Sequence, residues 1–149
     1  MKIVVQRVSK AEVKINDKIV GKANKGLLLF VGFSKEDEEE DLKYFADKIL
    51  NLRIFEDISG KMNLSVSEIN GDILSVSQFT LYGDIKKGRR PSFIEAAEPE
   101  KANKLYEKFN DQLKKSGLNI ETGIFGGDMK VSLINDGPVT ILMDSKKQS

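Results

Sequence analysis

Along the opening of the chain, apolar side chains recur at every second position. "KIVVQRV" and "AEVKI" alternate as half-buried strands do, and "ND" before "KIVGKA" predicts a hairpin turn. "KGLLLFVGF", residues 25–33, is continuously apolar and short, which predicts a strand buried on both faces. The period then changes. Leu42, Phe45, Ala46, Ile49 and Leu50 recur at helical spacing, and Ser34, with Asp37 three residues on, offers a cap for that helix. The acidic block "EDEEED" reads as a solvated first turn favoured by the helix dipole, rather than as a metal or partner site. A Ser-Gly turn separates short strands in "LRIFEDISGKMNLSV", and an Asn-Gly turn leads into "DILSVSQFTLYG". A second helix is predicted from about Pro99, with Ala102, Leu105, Tyr106, Phe109 and Leu113 on one stripe and its end at Gly117. "NIETGIF", "MKVSLI" and "VTILM" close the chain as strands, the last two joined at "NDGP". Strands outnumber helices and most connect by short turns. The predicted fold is α+β, a mainly antiparallel curved sheet or barrel with two helices, in a single domain over residues 1–149 with a polar tail at 145–149.

One segment breaks its own pattern. In "LSVSQFTLYG" Leu74 and Val76 alternate with Ser75 and Ser77, and then Phe79 and Leu81 take the apolar role. A one-residue slip swaps the faces of everything after it, and a β-bulge is the usual way to absorb it. Such a bulge presents the hydroxyls of Ser77 and Thr80 and the amide of Gln78, and leaves backbone N–H groups free to stabilise an oxyanion. The same pattern also fits a strand-edge irregularity satisfied by water. In "NDGPVT" good turn chemistry is followed by a proline that removes a ladder donor. Only about 5–6% of X-Pro bonds in folded proteins are cis, so the Gly137-Pro138 pair alone does not fix the isomer. In "KKGRRPSF", Lys86, Lys87, Arg89 and Arg90 surround a glycine, a grouping that suits phosphates or a plain solvated loop.

Composition narrows the chemistry. The chain has 149 residues, 24 Lys+Arg against 23 Asp+Glu, and neither Cys nor His. That removes disulfides, thiolate nucleophiles, Cys/His zinc sites and every Ser-His or Cys-His dyad. No metal and no cofactor is expected, and proton transfer falls to Lys, carboxylates, water, backbone or the substrate itself. The near-neutral balance gives no global field for nucleic acid, so contact with a polyanion must be local. No apolar run approaches the ~20 residues of a membrane span, and the start lacks a secretory signal pattern. A cytoplasmic location with no membrane and no DNA partner is expected.

Taken together, "MKIVVQRV..AEV", "LRIFED..GKMN", "SQFTLYG", "KKGRRPSF", "TGIFGGDM" and "NDGPVT" resemble the D-aminoacyl-tRNA deacylases, over Met1 to about Asp144. The resemblance implies a homodimeric esterase, its active sites at the subunit interface, cleaving D-amino acids from the 3′-terminal adenosine of tRNA. It also implies that Gly137-Pro138 is a cis pair reaching into the partner's pocket, rejecting L-substrates and passing glycyl-tRNA. Arg7 would buttress that pair, Ser77, Gln78, Phe79 and Thr80 would line the site, and Met129 would help wall it. The Phe79 N–H would lie near the scissile carbonyl, and Thr80 would be the candidate nucleophile, with hydrolysis assisted by the substrate's 2′-hydroxyl as the alternative. Lys86, Lys87, Arg89 and Arg90 would contact tRNA. Gly127 stands where most members are expected to carry Ala, which implies a slightly wider pocket floor. Two other functions fit the same features: a non-catalytic module binding tRNA 3′ ends, and an esterase for small D-amino acid esters that has no need of the basic loop.

Overall fold

In the computed structural model, which describes residues 1–146, the two alternating runs at the start are one strand, β1 (Lys2–Ile15). Asn16 and Asp17, at φ 50° and 65°, turn the chain into β2 (Lys18–Ala23), and β3 (Gly26–Gly32) follows. The remaining elements are α1 (Glu40–Asn51), β4 (Phe55–Glu56), β5 (Met62–Leu64), β6 (Asp72–Ser77), α2 (Pro99–Lys114), β7 (Ile120–Thr122) and β8 (Lys130–Asp144). The apolar stripes predicted for both helices are their buried faces.

β1 organises the sheet. One edge pairs antiparallel with β8 from Lys2↔Asp144 to Lys14↔Lys130. The other edge pairs antiparallel with β3 through its first half and with β2 through its second. β6 then adds to β3, and β7 to β6, both in parallel. The main sheet is therefore mixed, and the expectation of a mainly antiparallel one is corrected. The reason lies in the connections: α1 with the β4–β5 hairpin lies between β3 and β6, and α2 lies between β6 and β7. Each excursion returns the chain in its original direction, as a parallel pair requires. The sheet curls until β2 meets β7, where the Lys22 N–H donates to Glu121 Oε1 at 2.9 Å. A Cβ on Gly21 would lie 2.4 Å from the Thr122 carbonyl oxygen, so this near-closure of the barrel requires glycine.

Two cores share the sheet. The larger lies between the sheet and the helices and includes Ile3, Val5, Leu27, Leu29, Ile49, Phe109 and Leu113. The smaller, inside the curl, includes Val8, Val13, Leu28, Leu74 and Val76.

Three local expectations change. Ser34 does not cap α1, whose first turn carries Glu40 and Asp41. Asp37 instead accepts the Ser34 N–H at 2.6 Å and the Met1 ammonium, also at 2.6 Å, so this member of the acidic block is buried rather than solvated. "NDGP" does not reverse the chain. Both flanking segments pair with β1 in the same direction, Gln6↔Thr140 and Val8↔Asn135, so residues 136–139 bulge out opposite Arg7 within one strand. Of the polar tail, the Ser145 N–H donates to the Met1 carbonyl at 2.9 Å, while residues 147–149 lie outside the described residues.

Candidate active site

β6 enters the site already constrained on both faces. Leu74 and Val76 face the inner core, and Ser75, expected on a solvated face, is 0% exposed beneath α2. The Tyr106 O–H donates to the Ser75 carbonyl at 2.6 Å. Burial holds the Tyr106 phenol above its ordinary pKa, so it remains a protonated donor.

At Ser77 the ladder stops because β3 has ended at Gly32. The Gln78 N–H makes one more bond, to the Val31 carbonyl at 2.8 Å, and residues Phe79–Tyr82 then form a 3-10 turn. The expected bulge is thus corrected: the slip in apolar phase is a change of period from two to three. Tyr82 is buried and Phe79 is 57% exposed, its ring edge-on to Phe93 with centroids 5.1 Å apart. Phe79 and Thr80 precede the turn's first internal hydrogen bond, Leu81 N–H to the Gln78 carbonyl at 3.3 Å, so their own N–H groups have no acceptor within it. The Gln78 side-chain amide donates to the exposed Thr80 hydroxyl.

The start of this turn borders a cavity of about 630 Å³, whose lining includes Phe79 but not Thr80. Ser77, Gln78 and Phe79 line it on one side, and residues 125–129, ending at Met129, line the other. Val31 and Val76 make its floor, and Phe93, Ala97 and Ala102 extend it toward α2. These last three were not assigned to a site from sequence. Ala102 reads as part of a core stripe, and Phe93 lies inside "RRPSF", where the cations draw attention. Met129 reaches the cavity because Gly123 lets it: a Cβ there would lie 2.5 Å from the Met129 sulfur. Gly127 borders the cavity, but a Cβ on it would meet Ile15 Cδ1 at 2.9 Å and the Ile124 carbonyl oxygen at 3.2 Å. Its missing methyl would lie against Ile15, so the expectation of a wider pocket floor is corrected.

Arg7, Gly137 and Pro138 are gathered elsewhere and do not line this cavity. The Arg7 guanidinium, on a residue 6% exposed, donates to the Asp136 carbonyl (Nε, 3.0 Å) and the Ile54 carbonyl (Nη1, 2.8 Å). The Gly137-Pro138 bond is cis, and Gly137 sits at φ 129°. A Cβ on Gly137 would come within 2.9 Å of both Arg7 Nη2 and Val139 Cγ2. Asn135 ties this bulge down, donating to the carbonyls of Arg7 at 3.1 Å and Val139 at 3.0 Å.

The basic loop leaves the 3-10 turn at Gly83 and returns at Phe93, so it starts and ends at the cavity. Asp84 and Ser92 close its neck with two backbone hydrogen bonds of 2.8 and 2.9 Å. Lys86, Lys87, Arg89 and Arg90 are exposed, and none makes an ion pair among the described residues.

A mixed sheet curled under two helices, with a polar turn facing an apolar cavity, is a fold shared with solved structures. One is a c-Myc DNA unwinding element binding protein, 43% identical with a TM-score of 0.91, the match covering 97% of this chain and 99% of that one. Another, titled a probable eukaryotic D-amino acid tRNA deacylase, shares the fold at 21% identity with a TM-score of 0.85, over 95% and 97% of the two chains. Residues 4–144 match the D-Tyr-tRNA(Tyr) deacylase family, and the chain belongs to it. It is 58% identical to the D-aminoacyl-tRNA deacylase of Thermosipho africanus over 99% of both chains. It is 57% identical to that of Bacillus pumilus over 99% of this chain and 100% of the relative.

Proposed function

We propose that the protein hydrolyses the ester of D-aminoacyl-tRNA, releasing free D-amino acid and tRNA as part of translation quality control in the cytoplasm. The observation that carries this reading is near-full-length identity of 57–60% to deacylases of that name, in a chain whose Ser77, Gln78 and Phe79 line a cavity. On this reading the acceptor end enters beside the basic loop, and the terminal adenosine occupies the apolar cavity. The scissile carbonyl meets the Phe79 N–H, with Thr80 orienting the ester or the attacking water.

The proposed enzyme is a homodimer with each active site at the subunit interface. In support, Gly137, Pro138 and Arg7 are absent from the lining of their own chain's cavity, and β8 exposes large apolar side chains such as Ile134 and Leu142. A second copy would bring its Gly137 and Pro138 carbonyls toward the α-carbon of the bound amino acid. There they would obstruct an L side chain and leave a D side chain or glycine free. This is specificity by exclusion, and it allows many different D side chains.

Hydrolysis of D- and L-tyrosyl-tRNA, side by side and with EDTA present, tests the proposal. Rapid release from the D-ester alone is expected. Tight binding of both esters without turnover would instead assign the chain to a tRNA-end binding module, and equal affinity for an unrelated single-stranded DNA would remove the tRNA assignment.

A further inference from the structure

The cavity opens at a fork in the sheet. β6 and β7 are paired only over Ile73↔Ile120, Leu74↔Glu121 and Ser75↔Thr122. Beyond that point β6 continues into Ser77 and Gln78, which form one wall, while the chain after β7 turns away at Gly123 toward Phe125 and Met129, which form the other. Parallel strands that part in this way leave backbone groups without ladder partners, and a buried one needs a substitute.

Tyr106 occupies the fork. From α2 its hydroxyl donates to the Ser75 carbonyl at 2.6 Å, and the same carbonyl accepts the Gly123 N–H at 3.1 Å. The N–H groups of Ser77 and Gly123 and the Asn110 side chain also face the hydroxyl. Its ring lies 6.1 Å from that of Phe125 on the second wall. Tyr106 is itself buried and does not line the cavity, so it reaches the substrate space only through the lining residues Ser77 and Phe125. A phenol placed only for core packing could as well have been phenylalanine.

We propose that Tyr106 is a positioning residue for the proposed hydrolysis: from the fork, its hydroxyl sets the spacing and rigidity of the cavity's two walls and so the placement of the Ser77–Thr80 turn against the ester. This inference rests on the deacylase reading for its chemistry, and on the fork geometry alone for its mechanics. The alignment of the turn's N–H groups with the ester counts most where charge develops on the carbonyl oxygen, so loss of the hydroxyl should fall on kcat rather than on KM.

Tyr106→Phe keeps the ring and removes only the hydroxyl. With D-tyrosyl-tRNA, kcat should fall about 2- to 10-fold, the worth of one buried hydrogen bond, with KM unchanged. The same factor should appear with a minimal D-tyrosyl ester of adenosine, which lacks the phosphates the loop would bind. Phe109→Leu, on the same helix within the larger core, should lower the melting temperature while leaving kcat in place. Amide exchange at Ser77 and Gly123, followed by NMR, should quicken in Tyr106→Phe and not in Phe109→Leu. A kcat equal to the parent's, a loss confined to KM, or unchanged exchange at both amides would each overturn the proposal. Should the parent itself prove inactive on D-tyrosyl-tRNA, the functional reading fails, and the exchange measurement still judges the fork.

Discussion

Replacing Arg7 by lysine tests how the Asp136–Pro138 bulge is held, because the guanidinium makes two hydrogen bonds that an ammonium cannot reproduce together. In the parent, Nε meets the Asp136 carbonyl at 3.0 Å and Nη1 the Ile54 carbonyl at 2.8 Å. A third contact, Nη2 to Glu56 at 3.8 Å, ends on a carboxylate side chain that is 59% exposed. Such a pair contributes only about 0–1 kcal/mol. Lysine places one donor group at the end of a flexible stem and lacks the planar fork. It can satisfy one of the two carbonyls and leaves the other unpaired, at a cost of ~1–3 kcal/mol. For a chain of this size each kcal/mol lowers the melting temperature by about 2–4 °C, so Arg7→Lys should melt roughly 2–12 °C lower. Arg7→Ala strands the buried Ile54 carbonyl, leaves the Asp136 carbonyl to water and removes the buried stem of the side chain, and should be worse than Arg7→Lys. Urea unfolding should show a lower midpoint at unchanged slope, since the surface exposed on unfolding hardly differs. If the bulge works on a second copy's cavity, D-tyrosyl-tRNA hydrolysis at a temperature where the variant is fully folded should drop as well. Melting and midpoint for Arg7→Ala indistinguishable from the parent would refute the assignment of Arg7 as the support of residues 136–138.

Thr80→Ala should slow D-tyrosyl-tRNA hydrolysis by ~5- to 150-fold, the loss of a positioning hydrogen bond. A loss of roughly 10⁴-fold or a trapped acyl-enzyme would make Thr80 the nucleophile instead. Replacing Lys86, Lys87, Arg89 and Arg90 together by Ala should flatten a log–log salt slope of about −2, set by ~3 single-strand phosphates, and spare cleavage of a minimal aminoacyl-adenosine. An unchanged slope would leave those cations to solvent. Gly127→Ala should leave kcat and KM unaltered, because the added methyl meets Ile15 and the Ile124 carbonyl rather than the substrate space. A raised KM would show that the methyl enters the cavity after all.

Periodicity carried most of the fold. Strand and helix spacings survive in β1, β3, α1 and α2 because each buries one face or both against a core, and burial is what periodicity records. What failed depended on distant partners. The parallel direction of β6 is set by two helical crossovers, and Ser75 looked solvated because an alternating sequence cannot show that α2 covers its polar side. Asn135 to Pro138 have the residues of a reversal, yet β1 claims both flanking segments and turns the reversal into a bulge. Ser34 and Asp37 have capping spacing and do bond to each other, but they close a turn tied to the Met1 ammonium, and α1 begins only at Glu40. The residue types of the candidate site were legible at Ser77–Thr80 because polar groups in an apolar segment are conspicuous. The 3-10 geometry was not, since an end of pairing on β3 leaves no mark in the sequence of β6.

That geometry bears on how a chain without histidine or cysteine could cleave an ester. An aminoacyl ester on a ribose is already activated by its neighbouring hydroxyl, so the steps left to a protein are placement and stabilisation of the developing oxyanion. Both favour a rigid backbone over a titrating side chain. A strand carried straight on would commit its N–H groups to a neighbour or to water. A 3-10 turn begun just beyond the strand instead leaves two successive N–H groups, those of Phe79 and Thr80, without internal acceptors, the first of them on a residue that lines the apolar cavity. One such donor is worth about 10²–10³ in rate where it has been removed from an acyl-transfer site. The abrupt end of β6 at Ser77 is then the feature on which the proposed chemistry depends, and the residues that fix it are Gly32, Val31 and Tyr106. Gly32 admits the Gln78 carbonyl where a Cβ would stand 2.8 Å from its oxygen, Val31 takes the last ladder bond, and Tyr106 braces the strand two residues upstream.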